Sequence, residues 1–522
     1  MKEMKRLRFR PLAEPRSFGS GLIIGCILAS MIYVIMYRSE EGIDHLSILN
    51  CKVPPSSSLD DAATANSAVE EGRSILSTGS DPTNEEDEST INSSFEEEKV
   101  VITGRNWSVD EEEEGTKVKN DKQVSAKASA IDHNQPEVMP AKKPICDFSQ
   151  YRLDICDLDG DIRVIGKNLS SVMLVVSRDT PASSWEIKPY PRKYDHSAKA
   201  KVRSFIVTTL HASAAPNCDV RHSVSGVLFS TGGHCGNCFH DFADVLVPLF
   251  QTAGPLHRQV RFAISSLRGW WMMKYRPYLT QLSAFDVIDL DGDDRVHCFD
   301  RLTVGLHAKR DLMIDAAEAP DGYSIAGFVE LTRSVYGLGR ARVGPKKNPT
   351  KPRLLFIARS GTRKFANLDA LTAAAEAVGF EAVAAEPDFM DVARFAHVVN
   401  SCDVMVGVHG AGLTNFVFLP TGAVVVQVVP LAKLDWIATN FYAEPAMGMN
   451  LEYIQYDISI DESTLLDAYP RDDKVFTDPE SIHKEGWHRM QEIYLRQQSV
   501  RLDVNRFGPV LEKAYGLVRD KE

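Results

Sequence analysis

At 522 residues the chain has room for more than one domain and a large core, and its 44% hydrophobic and 25% charged residues are those of a globular protein rather than a fibrous or wholly disordered one. The net charge of −12 is concentrated: residues 81–114 carry thirteen acidic side chains against Lys99 and Arg105, which leaves the rest close to neutral. No basic stripe is present, so nucleic acid is not an expected partner.

The chain opens with a basic segment, residues 1–16, in which Lys2, Lys5, Arg6, Arg8, Arg10 and Arg16 outnumber Glu3 and Glu14. Residues 17–37 carry no charge and are dominated by Leu, Ile, Val and Met. About 20 such residues cross a bilayer as a helix. The positive excess before them predicts a transmembrane anchor with a cytosolic tail and a luminal bulk. A cleaved signal peptide is the competing reading, but its apolar core is usually shorter and no small-x-small site follows Tyr37. Residues 38–145 are rich in Ser, Thr, Asn, Asp and Glu and cannot bury enough apolar surface to fold, which predicts a disordered acidic stem. Asn92 and Asn106 open glycosylation triplets in the stem, and Asn168 opens one in the folded part.

Folding is expected from Cys146 onwards, over enough residues for two domains. Cys146 and Cys156 are close enough in sequence to pair. Cys235-Gly-Asn-Cys238 has no second CxxC and no thioredoxin-like setting; a structural disulfide or ordinary core thiols are preferred over a redox or zinc site. Strand-like runs fall at 172–177, 204–209, 224–229 and 285–290, and 237–250 has helical spacing. Residues 157–161 and 289–294 look superficially like calcium loops. In the second, glycine is not at the sixth position and no Glu closes the loop, so both are read as turns between strands and no metal is assigned.

The second half alternates strands (354–357, 381–384, 404–408, 424–429) with helices (368–378, 391–402), which predicts a parallel sheet with helices on both faces. Helices follow over 479–515. Ligands in such sheets bind beyond the C-terminal strand ends. Three stretches there and nearby carry chemistry. Residues 404–420 read as a buried strand, a Gly-rich turn and a helix stopped by Pro420, a combination that favours an anion. The glycines Gly407, Gly410 and Gly412 match neither the dinucleotide fingerprint nor a P-loop, and the alternative is a turn kept for close packing. Arg359 and Arg363, just past a strand, suit a pyrophosphate; the alternative is surface ion pairs. His240 and Asp241 open an amphipathic segment after Gly232-Gly233. Either could take a proton from an attacking hydroxyl, and a helix-capping Asp beside a hydrogen-bonded core His fits equally well.

These motifs resemble the plant members of glycosyltransferase family 61. The resemblance covers residues 146–515. It rests on Cys146-Asp147-Phe148-Ser149, Cys156, Gly160-Asp161-Ile162-Arg163, Gly232-Gly233, Asn237-x-Phe239-His240-Asp241-Phe242 and Arg359-x3-Arg363-x3-Asn367. Its most specific block is Gly407-x-His409-Gly410-Ala411-Gly412-Leu413-Thr414-Asn415. It implies an α/β fold of GT-B type, two Rossmann-like domains facing a cleft, with 146–345 on the acceptor side and 346–522 on the nucleotide-sugar side. It implies an inverting transferase without a required metal or other cofactor, a single-pass type II protein of the Golgi membrane with its catalytic part luminal. The implied reaction moves a pentosyl group, arabinofuranosyl first, from a UDP-pentose to xylan or another polysaccharide. Xylosyl transfer, a glycoprotein-modifying transferase and an inactive carbohydrate-binding homologue are the alternatives, and an oligomer or a complex with other Golgi glycosyltransferases is compatible with each. Carried over by position, Arg359 and Arg363 would hold the diphosphate. His409, Gly410, Ala411, Gly412, Leu413 and Thr414 would present backbone N–H groups to it. Asn237, with His240 and Asp241 as candidate bases, would line the opposite wall.

Overall fold

The computed structural model describes residues 145–521 apart from 168, 318 and 345–350. The predicted tail, the anchor and all but the last residue of the predicted stem lie outside the described residues, as do Asn92, Asn106 and Asn168. Among the described residues no helix is long and apolar enough to cross a membrane.

Two sheets organise the fold. The first contains β1 (Cys146–Asp147), β2 (Ile155–Ile165), β3 (Ser171–Val176), β4 (Ser184–Ile187), β5 (Phe205–His211), β6 (Val220–Arg221), β7 (Ser225–Ser230), β8 (Val260–Ser265), β9 (Ile288–Asp289) and β10 (His297–Val304). Their order is β4-β5-β3-β2-β10-β7-β8-β9, with β1 beside β2 and β6 beside β10. The sheet is mixed. β10, β7, β8 and β9 run parallel, whereas β2 is antiparallel to both β10 and β3. The expected Rossmann-like pattern therefore holds for only one half of it. Cys146 lies opposite Cys156 in the β1–β2 register and is bonded to it, and a second disulfide joins Cys218 to Cys298. Cys235 and Cys238 are free thiols, so the CxxC is neither bridged nor part of a metal cluster among the described residues.

The expected turn at 157–161 is not one. These residues lie inside β2, where Leu158, Ile162 and Val164 are buried and Asp157, Asp159 and Asp161 are not. Alternation along a strand puts the carboxylates on the outer face without breaking it. Asp161 pairs there with Arg163 at 2.8 Å. Residues after Asp289 do turn, closed by the Asp293 N–H donating to the Asp289 carbonyl at 2.9 Å.

Within the first sheet's stretch of chain, α1 (238–253) connects β7 to β8 and α2 (Gly269–Leu282) connects β8 to β9, and α3 (Ile325–Tyr336) follows β10. α1 is interrupted by a π-helical turn, Asp241–Leu246, in which every residue is buried. Phe242 on that turn packs edge-on against Tyr275, Tyr278, Phe328 and Phe418 at 5.9–6.2 Å. One continuous core thus reaches from α1 to the second sheet.

The second sheet is wholly parallel: β11 (Arg353–Ile357), β12 (Glu381–Ala385), β13 (Val404–Val408), β14 (Val424–Val429) and β15 (Glu452–Asp457), in the order β12-β11-β13-β14-β15. α4 (Leu368–Val378) and α5 (Val392–Asn400) connect its first three strands, and α6 (Val504–Arg519) packs on α4, with Tyr515 edge-on to Phe380 at 5.1 Å. Because β12 and β13 flank β11, the chain leaves β11 and β13 toward opposite sides. That reversal opens a crevice beyond their C-terminal ends.

Candidate active site

The crevice is filled from both strands. The loop after β11 carries Arg359 and Arg363, and the turn after β13 carries His409 to Gly412. Gly410 has φ +140°, and a Cβ there would lie 2.7 Å from Arg363 Nη1 and 3.0 Å from Arg359 Nη1. Only glycine lets both guanidinium groups close over this turn. Arg363 itself has φ +52°, an unusual backbone for a non-glycine residue, and its N–H donates to the Gln498 carbonyl at 2.8 Å. Its Nη1 donates to the His409 carbonyl at 3.1 Å. Arg359 Nε donates to the Thr362 carbonyl at 2.9 Å, while its Nη2 is buried without a hydrogen-bond partner among the described residues. Burial pushes Arg359 down to about 10. It pushes Arg363 well down too, with the neighbouring Arg359 adding to the effect. Two like charges held side by side and desolvated favour an anion beside them.

The His409 side chain is a fixed donor. Tyr453 donates its hydroxyl to Gln427 Oε1 at 2.8 Å, so the Gln427 amide nitrogen faces His409 Nδ1, 2.7 Å away. Nδ1 must accept, and the ring proton therefore sits on Nε2. Burial and the two arginines push His409 down to about 3, which keeps the ring neutral. Beyond it the expected α-helix is a 3₁₀-helix, Ala411–Phe418, with Gly410 as its cap residue. The turn packs closely on the end of β11: a Cβ on Gly412 would stand 3.0 Å from Ile357 Cγ2. The Leu413 N–H closes the first turn onto the Gly410 carbonyl at 2.9 Å, so the N–H groups of Ala411 and Gly412 have no partner within the helix.

A cavity of about 620 Å³, ample for a drug-sized ligand, is lined by Arg363, His409, Gly410 and Ala411 on one side and by Asn237, His234 and His240 on the other. Arg359 and Gly412 line a smaller neighbouring cavity of about 80 Å³, which Asn237 and Ala411 also border. Leu413 and Thr414 line neither. Both are buried behind the turn, where Leu413 Cδ2 would be 2.9 Å from a Cβ on Gly407. Asn237 caps α1, its Oδ1 accepting from the Phe239 N–H at 3.0 Å.

His240 and Asp241 do not act as a pair. Asp241 turns into the core, where it accepts from Trp271 Nε1 at 2.9 Å, the Tyr275 hydroxyl at 2.8 Å and the Gly236 N–H at 2.9 Å. It lines no described cavity and is a structural carboxylate. Neighbours on a helix point about 100° apart, so the partner of His240 lies one turn on. That partner is Asp244, whose Oδ2 is 2.8 Å from His240 Nδ1. Asp244 is fully buried and also receives Arg152 Nη2 at 2.8 Å, Arg192 Nε at 2.8 Å and the Tyr190 hydroxyl at 2.7 Å. The arginines and His240 outweigh its burial and hold it well below the ordinary carboxylate range. An ionised carboxylate only accepts, so His240 carries its proton on Nδ1 and a lone pair on Nε2. Burial and Arg192 push His240 down to about 4, which leaves that lone pair free near neutrality. A second histidine, His234, lies ring to ring with His240 at 4.6 Å and bonds Asp195 at 2.8 Å.

In the sequence the signal for this pair is the i,i+4 spacing of His240 and Asp244, which the adjacency of His240 and Asp241 masks. Arg152, Arg192, Tyr190 and Asp195 come from connecting segments far away in sequence and gave no local signal.

Residues 237–426, which carry both the His240 side and the His409 turn, match the family described as Glycosyltransferase 61. Over 392 residues the chain is 44% identical to the alpha-1,3-arabinosyltransferase XAT3 of Oryza sativa subsp. japonica, covering 74% of this chain and 67% of that one. It is 43% identical over 402 residues to the beta-1,2-xylosyltransferase XYXT1 of the same plant, covering 73% and 86%. With the xylan glycosyltransferase MUCI21 of Arabidopsis thaliana it shares 36% over 415 residues, covering 76% and 84%. With likeness of this extent on both walls of the cavity, the chain belongs to glycosyltransferase family 61 and is a glycosyltransferase.

Proposed function

We propose that the protein transfers a pentosyl group, with inversion, from a UDP-pentose to a hydroxyl of a xylan backbone. The carrying observation is one cavity with the desolvated Arg363 and His409 on one wall and a carboxylate-oriented histidine on the other, with the equally desolvated Arg359 beside Arg363 in the adjoining cavity. In this reading the parallel sheet forms the donor half of a GT-B-type cleft and the mixed sheet the acceptor half. Arg359, Arg363, His409 Nε2–H and the Ala411 and Gly412 N–H groups take up the charge that builds on the diphosphate as the C1–O bond to phosphate breaks. These two cations supply what a metal supplies in other transferases, which supports a metal-free reaction. His240 Nε2 takes the acceptor hydroxyl proton as the new C1–O bond forms on the opposite face, and Asp244 stabilises the resulting imidazolium. The xylan acceptor is supported by the likeness to the Arabidopsis xylan glycosyltransferase. Arabinofuranosyl is the first donor to test and xylosyl the second, because relatives named for each transfer are almost equally similar. The basic tail and the apolar stretch at 17–37 support a type II Golgi anchor with this cavity in the lumen.

The test uses the full chain in microsomes with UDP-arabinofuranose or UDP-xylose and xylo-oligosaccharides, with glycopeptides as the competing acceptor. Pentosyl transfer to the xylo-oligosaccharides, lost about 100-fold in Arg363→Ala, is the expected result. Transfer to glycopeptides alone, or an Arg363→Ala enzyme of near-normal rate, overturns the reading.

A further inference from the structure

Among the described residues five aromatic side chains are exposed over more than a third of their surface: Phe148, Tyr151, Tyr194, Trp436 and Trp487. Four of them gather at one place. Tyr194 and Trp487 line the cavity that holds His240, and Tyr151, Tyr194 and Trp436 line a second one of about 380 Å³. The two cavities share Arg192, Tyr194, Asp195 and Phe441, so the second continues the first outward. The rings touch in sequence along this path. Tyr151 lies 5.4 Å from Tyr194 on one flank, and Trp436 lies 6.2 Å from Phe441 and 6.5 Å from Trp487 on the other. The backbone that carries them is braced. Lys193 reaches across the Tyr194 ring at 5.9 Å and donates to the Phe148 carbonyl at 2.6 Å, and Asn440 Nδ2 donates to the Trp436 carbonyl at 2.7 Å.

Exposed aromatic rings that converge on a groove mark a binding surface. Here they alternate with polar groups, Asp195, Arg310 and Asn440, rather than forming an unbroken apolar patch. A chain of pyranose sugars has the matching character, with flat C–H faces that lie on aromatic rings and hydroxyls at the rim that seek hydrogen bonds. We propose that the outer groove, walled by Tyr151 and Tyr194 on one flank and by Trp436 and Phe441 on the other, holds the acceptor backbone on one side of the sugar being modified. This inference rests on the xylan reading above and adds to it that the enzyme measures acceptor length. The sugars in the outer groove make no contact with the reacting atoms, so they contribute through KM.

The test takes the full chain in microsomes with xylo-oligosaccharides of two to eight units. KM is expected to fall steeply with length until the groove is filled. Trp436→Ala and Tyr151→Ala should each raise KM for the hexasaccharide about tenfold and for the disaccharide less than twofold. UDP-induced thermal stabilisation, read on the same variants, confirms that they are folded. Met273→Ala removes an equally exposed apolar side chain that lines neither cavity, and should change nothing. Length-independent KM in the parent, or variants that raise KM equally for all lengths, overturns the groove alone. No transfer to any xylo-oligosaccharide by a parent enzyme that still responds to UDP overturns the groove's occupant together with the xylan reading.

Discussion

His240 and His409 line one cavity from opposite sides, and their environments assign them opposite tasks. His409 accepts at Nδ1 from Gln427 and therefore offers an N–H to the cavity wall, whereas His240 donates at Nδ1 to Asp244 and therefore offers a lone pair. Which residue can be the base follows from tautomers rather than from proximity. Asp244→Asn keeps the shape but presents an amide that can donate to Nδ1 and so move the His240 proton to Nε2. We expect transfer to fall about 1,000-fold with UDP binding retained. A loss of less than tenfold would remove His240 from the chemistry. The pH profile carries the same assignment. Because His240 is pushed down to about 4, it stays neutral through the mildly acidic range, and kcat/KM should be flat from pH 8 to 5 and drop near 4. Both histidines have folded-state pKa values below the ordinary value of about 6.5, so the unfolded chain takes up protons first as pH falls. Their contribution to stability is full above about 6.5 and is lost on the way down to about 4 for His240 and about 3 for His409. Thermal midpoints across that window separate this loss from the kinetic one.

At the scale of elements, what the sequence revealed and what it hid divide along hydrophobic pattern. β11, β13 and β14 are buried on both faces, so they read as unbroken apolar runs and were legible, as were α4 and α5 between them. The Gly-rich turn and both arginines were legible for the same reason, since the parallel pattern told where strand ends fall. β2 was hidden because its three aspartates suggested a turn, and β15 because Glu452, Gln455 and Asp457 dilute its apolar alternation. The network around Asp244 was hidden because arginines and a tyrosine from connecting segments carry no periodicity. Gly410 is where element and site meet. A methyl group there would be strained at φ +140° and would press on both guanidinium groups. Gly410→Ala should lower UDP affinity about 100-fold and transfer with it, while Gly508→Ala, at a position where a Cβ meets nothing within 4 Å, should leave UDP affinity unchanged. Equal effects of the two, or none from the first, would separate the glycine from the anion.

At the scale of the molecule, the wall proposed to hold the donor stores a cost that a diphosphate would relieve. Among the described residues Arg359 keeps one buried N–H without a hydrogen-bond partner, it sits against Arg363, and both are desolvated. Neither fact helps the empty protein fold, and both favour a diphosphate once it arrives. The consequence is a trade between stability and binding that one substitution can expose. Arg359→Met keeps most of the buried stem and removes the charge and the orphan donor. The ligand-free variant should melt at the same temperature as the parent or higher, where a merely structural arginine would give a lower one. UDP at 100 times its dissociation constant adds about 2.7 kcal/mol to the parent, a rise of several degrees. The same UDP concentration should add less than half of that rise to Arg359→Met. A variant that melts lower than the parent and keeps the full UDP shift would mean that Arg359 holds the loop after β11 rather than the ligand, and the diphosphate would then rest on Arg363 and the His409 turn alone.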